Sequence, residues 1–383
     1  MQLYIKRESI EFRAEGAGII ATVSRGPSKA RFAINTAIMK FVEQFSTPSS
    51  TDDAIERYCK NEAIELNEST RVRLQKFARQ ITATLLLTPI ERNQESVEQS
   101  IKALGFRHLK TFKDKRFDTV SLVADSSRQF VVKNIKERLV SESVRNRIVS
   151  DLQNEFRALC RLKYIDGVVK PLEFRDRAPA YLSMGLVDGQ RLDKFIKTSS
   201  ISLQDRMSMA VQLTRLVSSM HEAGVLHGDI HLGNFMCSAD RTITVIDFGC
   251  AVLEGEQYRP SSGATPHFAP PERASESWTH VCEKGATAAG ECYQIAIVIA
   301  YVLTGTLPFR GKTYRELHAA IIAGDFHLPD TTPEKELIPE QALALIVQMM
   351  HKDPSQRPTD LQAVSNQFLK LNKKETSHAI QSA

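Results

Sequence analysis

Apolar and polar residues change rhythm twice along this 383-residue chain. Up to residue 90, the segments LYIKRESIEF, GIIATVS and ARFAIN partly alternate and are separated by Gly and Pro turns. Period-two alternation predicts half-buried strands, hence a small antiparallel sheet. Three helical patterns follow: NTAIMKFVEQF, a second capped by Thr51 or Asp52, and a third beginning after Asn67 and running through RVRLQKFARQITATL. Pro89 and the polar run ERNQESVEQS then predict a linker or connecting helix. From residue 105 the pattern reads strand, strand, strand, helix, strand, strand and then mostly helices. The closing KKETSHAIQSA is expected to fray as a tail.

Composition narrows the class. The chain is too long for one ordinary domain, and 42% hydrophobic with 25% charged residues is the balance of a soluble globular protein. A formal charge of +5 does not by itself argue for nucleic acid. Six cysteines without paired C-x-x-C spacing argue against zinc clusters and a disulfide framework, which leaves free thiols in a reducing compartment. MQLYIKRESIEF lacks an apolar secretory core. The longest apolar runs, ATLLL and IAIVIAYVL, fall short of the ~20 residues that span a bilayer. The expected location is cytoplasmic, with no membrane contact.

Chemistry concentrates between residues 227 and 250. HGDIHLGNF places Asp229 and Asn234 five residues apart on one loop, and ITVIDFG reads as a strand ending at Asp247, with Gly249 permitting a sharp turn. Phosphoryl transfer needs carboxylate and carboxamide oxygens to hold magnesium against the phosphates, and one base near the attacking hydroxyl.

These two motifs, in this order, resemble the catalytic and metal loops of the eukaryotic-type protein kinase superfamily. The resemblance covers residues 105–370 and implies an α+β, bilobal kinase-like fold using ATP and Mg2+. It makes Asp229 the base and Asn234 and Asp247 the metal ligands. Lys133 in QFVVKNI matches the lysine that contacts the nucleotide phosphates, and Glu155 in NEFRALCRL its helix partner. YLSMGLVDGQRL resembles the segment between lobes, with Met184 at the back pocket and the backbone of Gly185, Leu186 and Val187 facing an adenine. His227 is read as structural. His231 stands where many protein kinases carry lysine, as in aminoglycoside and choline phosphotransferases and lanthipeptide-synthetase kinases. It serves either as a donor to the transferred phosphate or as a shaper of the loop. Gly228 removes the arginine that reads a phosphorylated activation loop. SSGATPHFAPPE resembles the platform that protein kinases present to a peptide, with Thr265 reaching the catalytic loop and Glu272 pairing with Arg357. The implied substrate is a peptide or protein.

Two departures stand out. The hairpin before Val120, KDKRFDTV, holds no glycine; Phe117 keeps the aromatic tip, while Lys113, Lys115 and Arg116 offer charge where backbone amides normally serve. Glu291 replaces the usual aspartate of the central helix, where a longer acid can still cap the catalytic loop. The function expected is a serine/threonine kinase; the second reading is a pseudokinase scaffold. Residues 1–90 read as a winged-helix-like domain resembling the PqqD-like peptide-binding modules, which take a leader peptide along a sheet edge. Here RFAIN would supply the edge, and Arg71, Arg73, Lys76 and Arg79 a basic helix face. A generic winged helix or a DNA-binding regulator are the alternatives, and the near balance of acids and bases counts against nucleic acid. The domains expected are therefore 1–90, a linker 91–104, a kinase domain 105–370 and a tail 371–383.

Overall fold

A computed structural model describes residues 3–6, 10–15, 18–25, 28–34, 36–44, 49–83, 87–90, 96–115, 117–137, 142–256, 265–274 and 285–381. The chain divides into two units, Met1–Gln94 and Glu95–Ala383.

In the first unit the segment LYIKRESIEF is two strands in different sheets. β1 (Leu3–Lys6), β2 (Ile10–Glu15), β3 (Gly18–Arg25) and β4 (Ser28–Ile34) precede α1 (Thr36–Glu43), β5 (Ser49–Ser50), α2 (Thr51–Asn61), α3 (Glu68–Ala83) and β6 (Leu87–Ile90). β2, β3 and β4 form an antiparallel meander with β4 at one edge, while β1 pairs with β5 and β6. Pro89 lies inside β6, opposite Tyr4. Asn67 caps α3 by accepting the Thr70 N–H at 2.9 Å. The helices share a core of Phe41, Val42, Ala54, Ile55 and Tyr58. Phe41 meets Tyr58 and Phe77 edge-on, with ring centroids 5.2 and 5.4 Å away.

The second unit opens on α4 (Val97–Ala103), inside the stretch read as a linker. Ser96 and Gln99 close a reciprocal capping box. Ile101 and Leu104 are buried against Val123, Phe130, Val132 and Tyr181, each contributing about 1.5–3 kcal/mol. α4 is thus part of the lobe it precedes. β7 (Arg107–Asp114), β8 (Asp118–Ala124), β9 (Gln129–Ile135), α5 (Glu142–Arg161), β10 (Pro171–Arg175) and β11 (Tyr181–Gly185) follow in the expected order. Their antiparallel sheet runs β10-β11-β9-β8-β7.

Beyond the sheet come β12 (Gln190–Arg191), α6 (Leu192–Thr198), α7 (Leu203–Glu222), β13 (Val225–Leu226), β14 (Phe235–Cys237), β15 (Ile243–Val245) and β16 (Val252–Leu253). The helical lobe closes with α8 (Ala288–Thr304), α9 (Tyr314–Ala323), α10 (Glu340–Met349) and α11 (Leu361–Gln381). α8 is buried along almost its whole length, as a helix apolar on every side must be. α11 runs unbroken through the supposed tail; Asn372 donates to the Ser208 hydroxyl at 2.9 Å. The two small ladders β13–β16 and β14–β15 set the site, because residues 227–234 leave β13 for β14 and residues 246–251 leave β15 for β16. Among the described residues no helix is long and apolar enough to cross a membrane, and none of the five described cysteines forms a disulfide.

Candidate active site

A cavity of about 440 Å³ gathers Lys113, Val120, Lys133, Glu155, Asp229, His231, Asn234 and Asp247. Eight residues from five separate stretches of chain therefore meet in one place. Phe117, Met184 and Leu186 do not line it. Met184 is buried in β11, opposite Val131, and Leu186 opens onto a second cavity of about 630 Å³ with Gly185 and Val187. Phe117 sits in the β7–β8 turn, where its carbonyl accepts the Lys136 N–H at 2.8 Å.

Lys133 forms an ion pair with Glu155, a carboxylate 2% exposed, and donates to Asp247 Oδ1 at 2.8 Å. Burial works against the Lys133 charge, but Asp247 and Glu155 outweigh it and raise its pKa. Burial pushes Glu155 above the usual carboxylate range, with the Asp247 charge adding to it and Lys133 pulling back. Lys133, opposed by burial and seconded by Lys113, holds Asp247 well below that range. Asp247 sits at φ +69°, a left-handed backbone that costs a non-glycine residue of order 1–3 kcal/mol and marks functional sites. Its two lysine partners over-determine the position.

The catalytic loop is held from below. His227 is fully buried, donates from Nε2 to the Ile246 carbonyl at 3.1 Å, accepts the Asp229 N–H on Nδ1, and packs on Phe248 with ring centroids 4.8 Å apart. Asn234 donates to the Asp229 carbonyl at 2.9 Å, which turns its amide so that Oδ1 is the atom able to face a cation. Asp229 Oδ1 is buried with no hydrogen-bond partner. An orphaned acceptor beside two further oxygen donors suits a hard divalent cation or an incoming hydroxyl. His231 accepts the Gly233 N–H on Nδ1 at 3.0 Å, so the neutral ring carries its proton on Nε2, 3.6 Å from Asp229 Oδ2. Burial lowers its pKa. The Nδ1 contact shapes the loop, and the Nε2–H is a donor that faces the cavity.

Glu291 caps this loop. One oxygen accepts the Gly228 N–H at 2.7 Å and the other bonds His221 at 2.7 Å. His221 escaped the sequence reading, because nothing local ties the end of α7 to a glutamate seventy residues on. Gly228 has φ +82°, and a Cβ there would lie 2.0 Å from the Cys250 carbonyl oxygen. The backbone thus leaves no room for any side chain, arginine included. Gly228→Ala is expected to destabilise the second unit by about 1–3 kcal/mol from backbone strain alone, with the clash adding to that. A urea midpoint equal to that of the unaltered chain would refute it.

Glu272 and Arg357 meet as a two-pronged pair at 2.7 and 2.7 Å. Thr265 does not reach the catalytic loop: Asp229 Oδ1 is unpartnered, and the Thr265 carbonyl instead accepts the Phe268 N–H in a tight turn. Residues 261–264 and the Trp278 insertion lie outside the described residues. In the first unit, Arg71 is turned inward by Asp52 and Glu56 at 3.4 and 3.3 Å, which removes one charge from the expected basic face.

A model of the protein kinase domain matches residues 116–369. The chain is 28% identical over 231 residues to a calcium/calmodulin-dependent protein kinase type 1 from Macrobrachium nipponense, covering 59% of this chain and 64% of that protein. It is 26% identical over 255 residues to a probable myosin light chain kinase from Dictyostelium discoideum (65% and 62%). It is also 27% identical over 268 residues to calcium-dependent protein kinase 29 of Arabidopsis thaliana (67% and 47%). In each case the chain spans less than two thirds of the relative's length.

Proposed function

The chain belongs to the protein kinase family, and from that premise we propose that it is an ATP- and magnesium-dependent serine/threonine kinase acting on a peptide or protein. The observation that carries this reading is the meeting of Lys133, Glu155, Asp247, Asn234 and Asp229 around one cavity. Lys133, aimed and kept charged by Glu155, contacts nucleotide phosphate oxygens. Asn234 and Asp247 would hold magnesium, which when bound neutralises the phosphate charge. Asp229 orients the acceptor hydroxyl and takes its proton. Neutral His231, pinned through Nδ1, steadies the Asp229 carboxylate. The Glu272–Arg357 pair, next to the Pro266–Phe268 turn, supports a peptide platform and so favours a peptide over a small molecule.

The first unit lies outside the kinase match. Among the described residues its edge-strand candidate is β4, the outer strand of the β2-β3-β4 meander, which suits capture of an extended peptide by strand addition. The winged-helix-like and PqqD-like reading rests on the order of that meander and three helices. Four features favour a pseudokinase scaffold as the second reading. The β7–β8 turn is tight and free of glycine, Lys115 N–H bonds the Asp118 carbonyl at 3.0 Å, and Lys136 reaches up from β9's end to the Lys115 carbonyl at 2.9 Å. Lys113 already occupies Asp247.

Purified protein with magnesium and radiolabelled ATP is expected to label a library of serine- and threonine-containing peptides, and Lys133→Met to abolish the label. Equal labelling by both, or none by either, refutes the kinase. Stabilisation of the unaltered chain by millimolar ATP with magnesium, absent in Lys133→Met, separates a nucleotide-binding protein from an empty scaffold.

A further inference from the structure

Lys113 should not face the cleft. β7 and β8 are in register at Thr111–Ser121, and an unbroken ladder would place Phe112 opposite Val120 and turn Lys113 to the other side of the sheet. A bulge between Thr111 and Lys113 inserts one extra residue, so Lys113 pairs with Val120 instead. Val120 in turn pairs with Lys133 on β9. Directly paired residues share a face, which puts Lys113, Val120 and Lys133 in one cross-strand row over the cavity. Both lysines then close on the same carboxylate: Lys133 on Asp247 Oδ1 at 2.8 Å and Lys113 on Oδ2 at 2.9 Å.

The two are not equivalent. The Lys133 side chain is 13% exposed and bound by a buried glutamate, whereas that of Lys113 is 53% exposed and, among the described residues, ion-paired with Asp247 alone. Lys113 can leave Asp247 for water or for an anion in the cleft; Lys133 cannot leave without stranding Glu155. The same hairpin has no glycine with which to bring backbone amides onto phosphates. A mobile ammonium on the cleft face of that hairpin supplies the missing positive charge.

Resting on the kinase reading above, we propose that Lys113 is a second nucleotide-phosphate ligand that guards Asp247 until nucleotide arrives. In the free protein Lys113 neutralises the Asp247 oxygen that Lys133 leaves over. When a nucleoside triphosphate enters, Lys113 transfers from Asp247 to a phosphate oxygen and so uncovers the carboxylate for the accompanying cation. A divalent cation without nucleotide must instead compete with Lys113.

The test measures binding, not turnover, on the full chain. Lys113→Met keeps the stem of a half-exposed side chain and removes only its charge. Displacement of a fluorescent ATP analogue is expected to report nucleotide affinity weakened about tenfold, the scale of a lost hydrogen bond to a charged group. Binding of Mn2+ alone, read by electron paramagnetic resonance, is expected to tighten about two- to fivefold, the scale of a lost exposed ion pair. Lys110→Met, three residues away and stacked on Phe112, is expected to change neither. Nucleotide affinity within twofold of the unaltered chain overturns the phosphate contact, and unchanged Mn2+ affinity overturns the guarding role. An equal effect from Lys110→Met reduces both to bulk charge and overturns the proposal. If the unaltered chain binds no nucleotide, the kinase reading itself fails, an outcome distinct from these.

Discussion

Asp229→Asn is expected to lower phosphoryl transfer by about 10²–10⁴-fold, the usual worth of a positioned base, while leaving the melting temperature unchanged or raised. The two effects part because of how the residue is held. Asp229 Oδ1 is buried and has no hydrogen-bond partner, and an anionic oxygen so placed loses hydration that nothing replaces. The amide keeps the shape and removes the charge. The bonds that shape the loop survive the change, since Asn234 donates to the Asp229 backbone carbonyl and the Asp229 N–H donates to His227. Initial rates with labelled ATP and the peptide library give the first number, and thermal denaturation gives the second. A loss under tenfold would remove Asp229 from the chemistry. A melting point several degrees lower would make its role structural instead.

That prediction needs only residue types at fixed spacing, which is why its site was legible in the chain. Lys133 with Glu155 and Glu272 with Arg357 were readable through the kinase resemblance of the runs that hold them. Each is a charged residue in a recognisable local run, and a buried charge demands a partner of opposite sign. What could not be read depends on register and on distant pairing. The bulge at Phe112 decides which face Lys113 takes, yet the alternation in RHLKTFKD reads equally well in either register. His221 meets Glu291 only once α7 and α8 have packed, and nothing in the run around His221 marks it for that partner. The run around α4 reads as a linker or connecting helix because its single apolar stripe is short, and Ile101 becomes a core residue only against β8, β9 and β11. Thr265 differs from its expectation for a related reason: its carbonyl closes a tight turn, and its side chain does not cap that turn.

The Glu272–Arg357 pair allows the sharpest statement about stability. Arg357 is 3% exposed, and every one of its five N–H groups is used. Nη1 donates to Glu272 Oε1 at 2.7 Å and the Ala289 carbonyl at 2.9 Å, Nη2 to Glu272 Oε2 at 2.7 Å and the Lys352 carbonyl at 3.3 Å, and Nε to the His351 carbonyl at 2.7 Å. Its guanidinium also lies 4.9 Å from the centroid of the buried Tyr293 ring. Arg357→Ala strands a carboxylate and three carbonyls at once and is expected to cost about 3–5 kcal/mol. Arg357→Lys is expected to recover little of that, because an ammonium has three donors and no fork to match the carboxylate. The double variant Arg357→Met with Glu272→Leu removes both charges and should lie nearer the unaltered chain than Arg357→Ala does. Denaturant midpoints of the four proteins decide the matter: an Arg357→Ala midpoint at the unaltered value, or a double variant less stable than the single, would show that the pair does not anchor the platform.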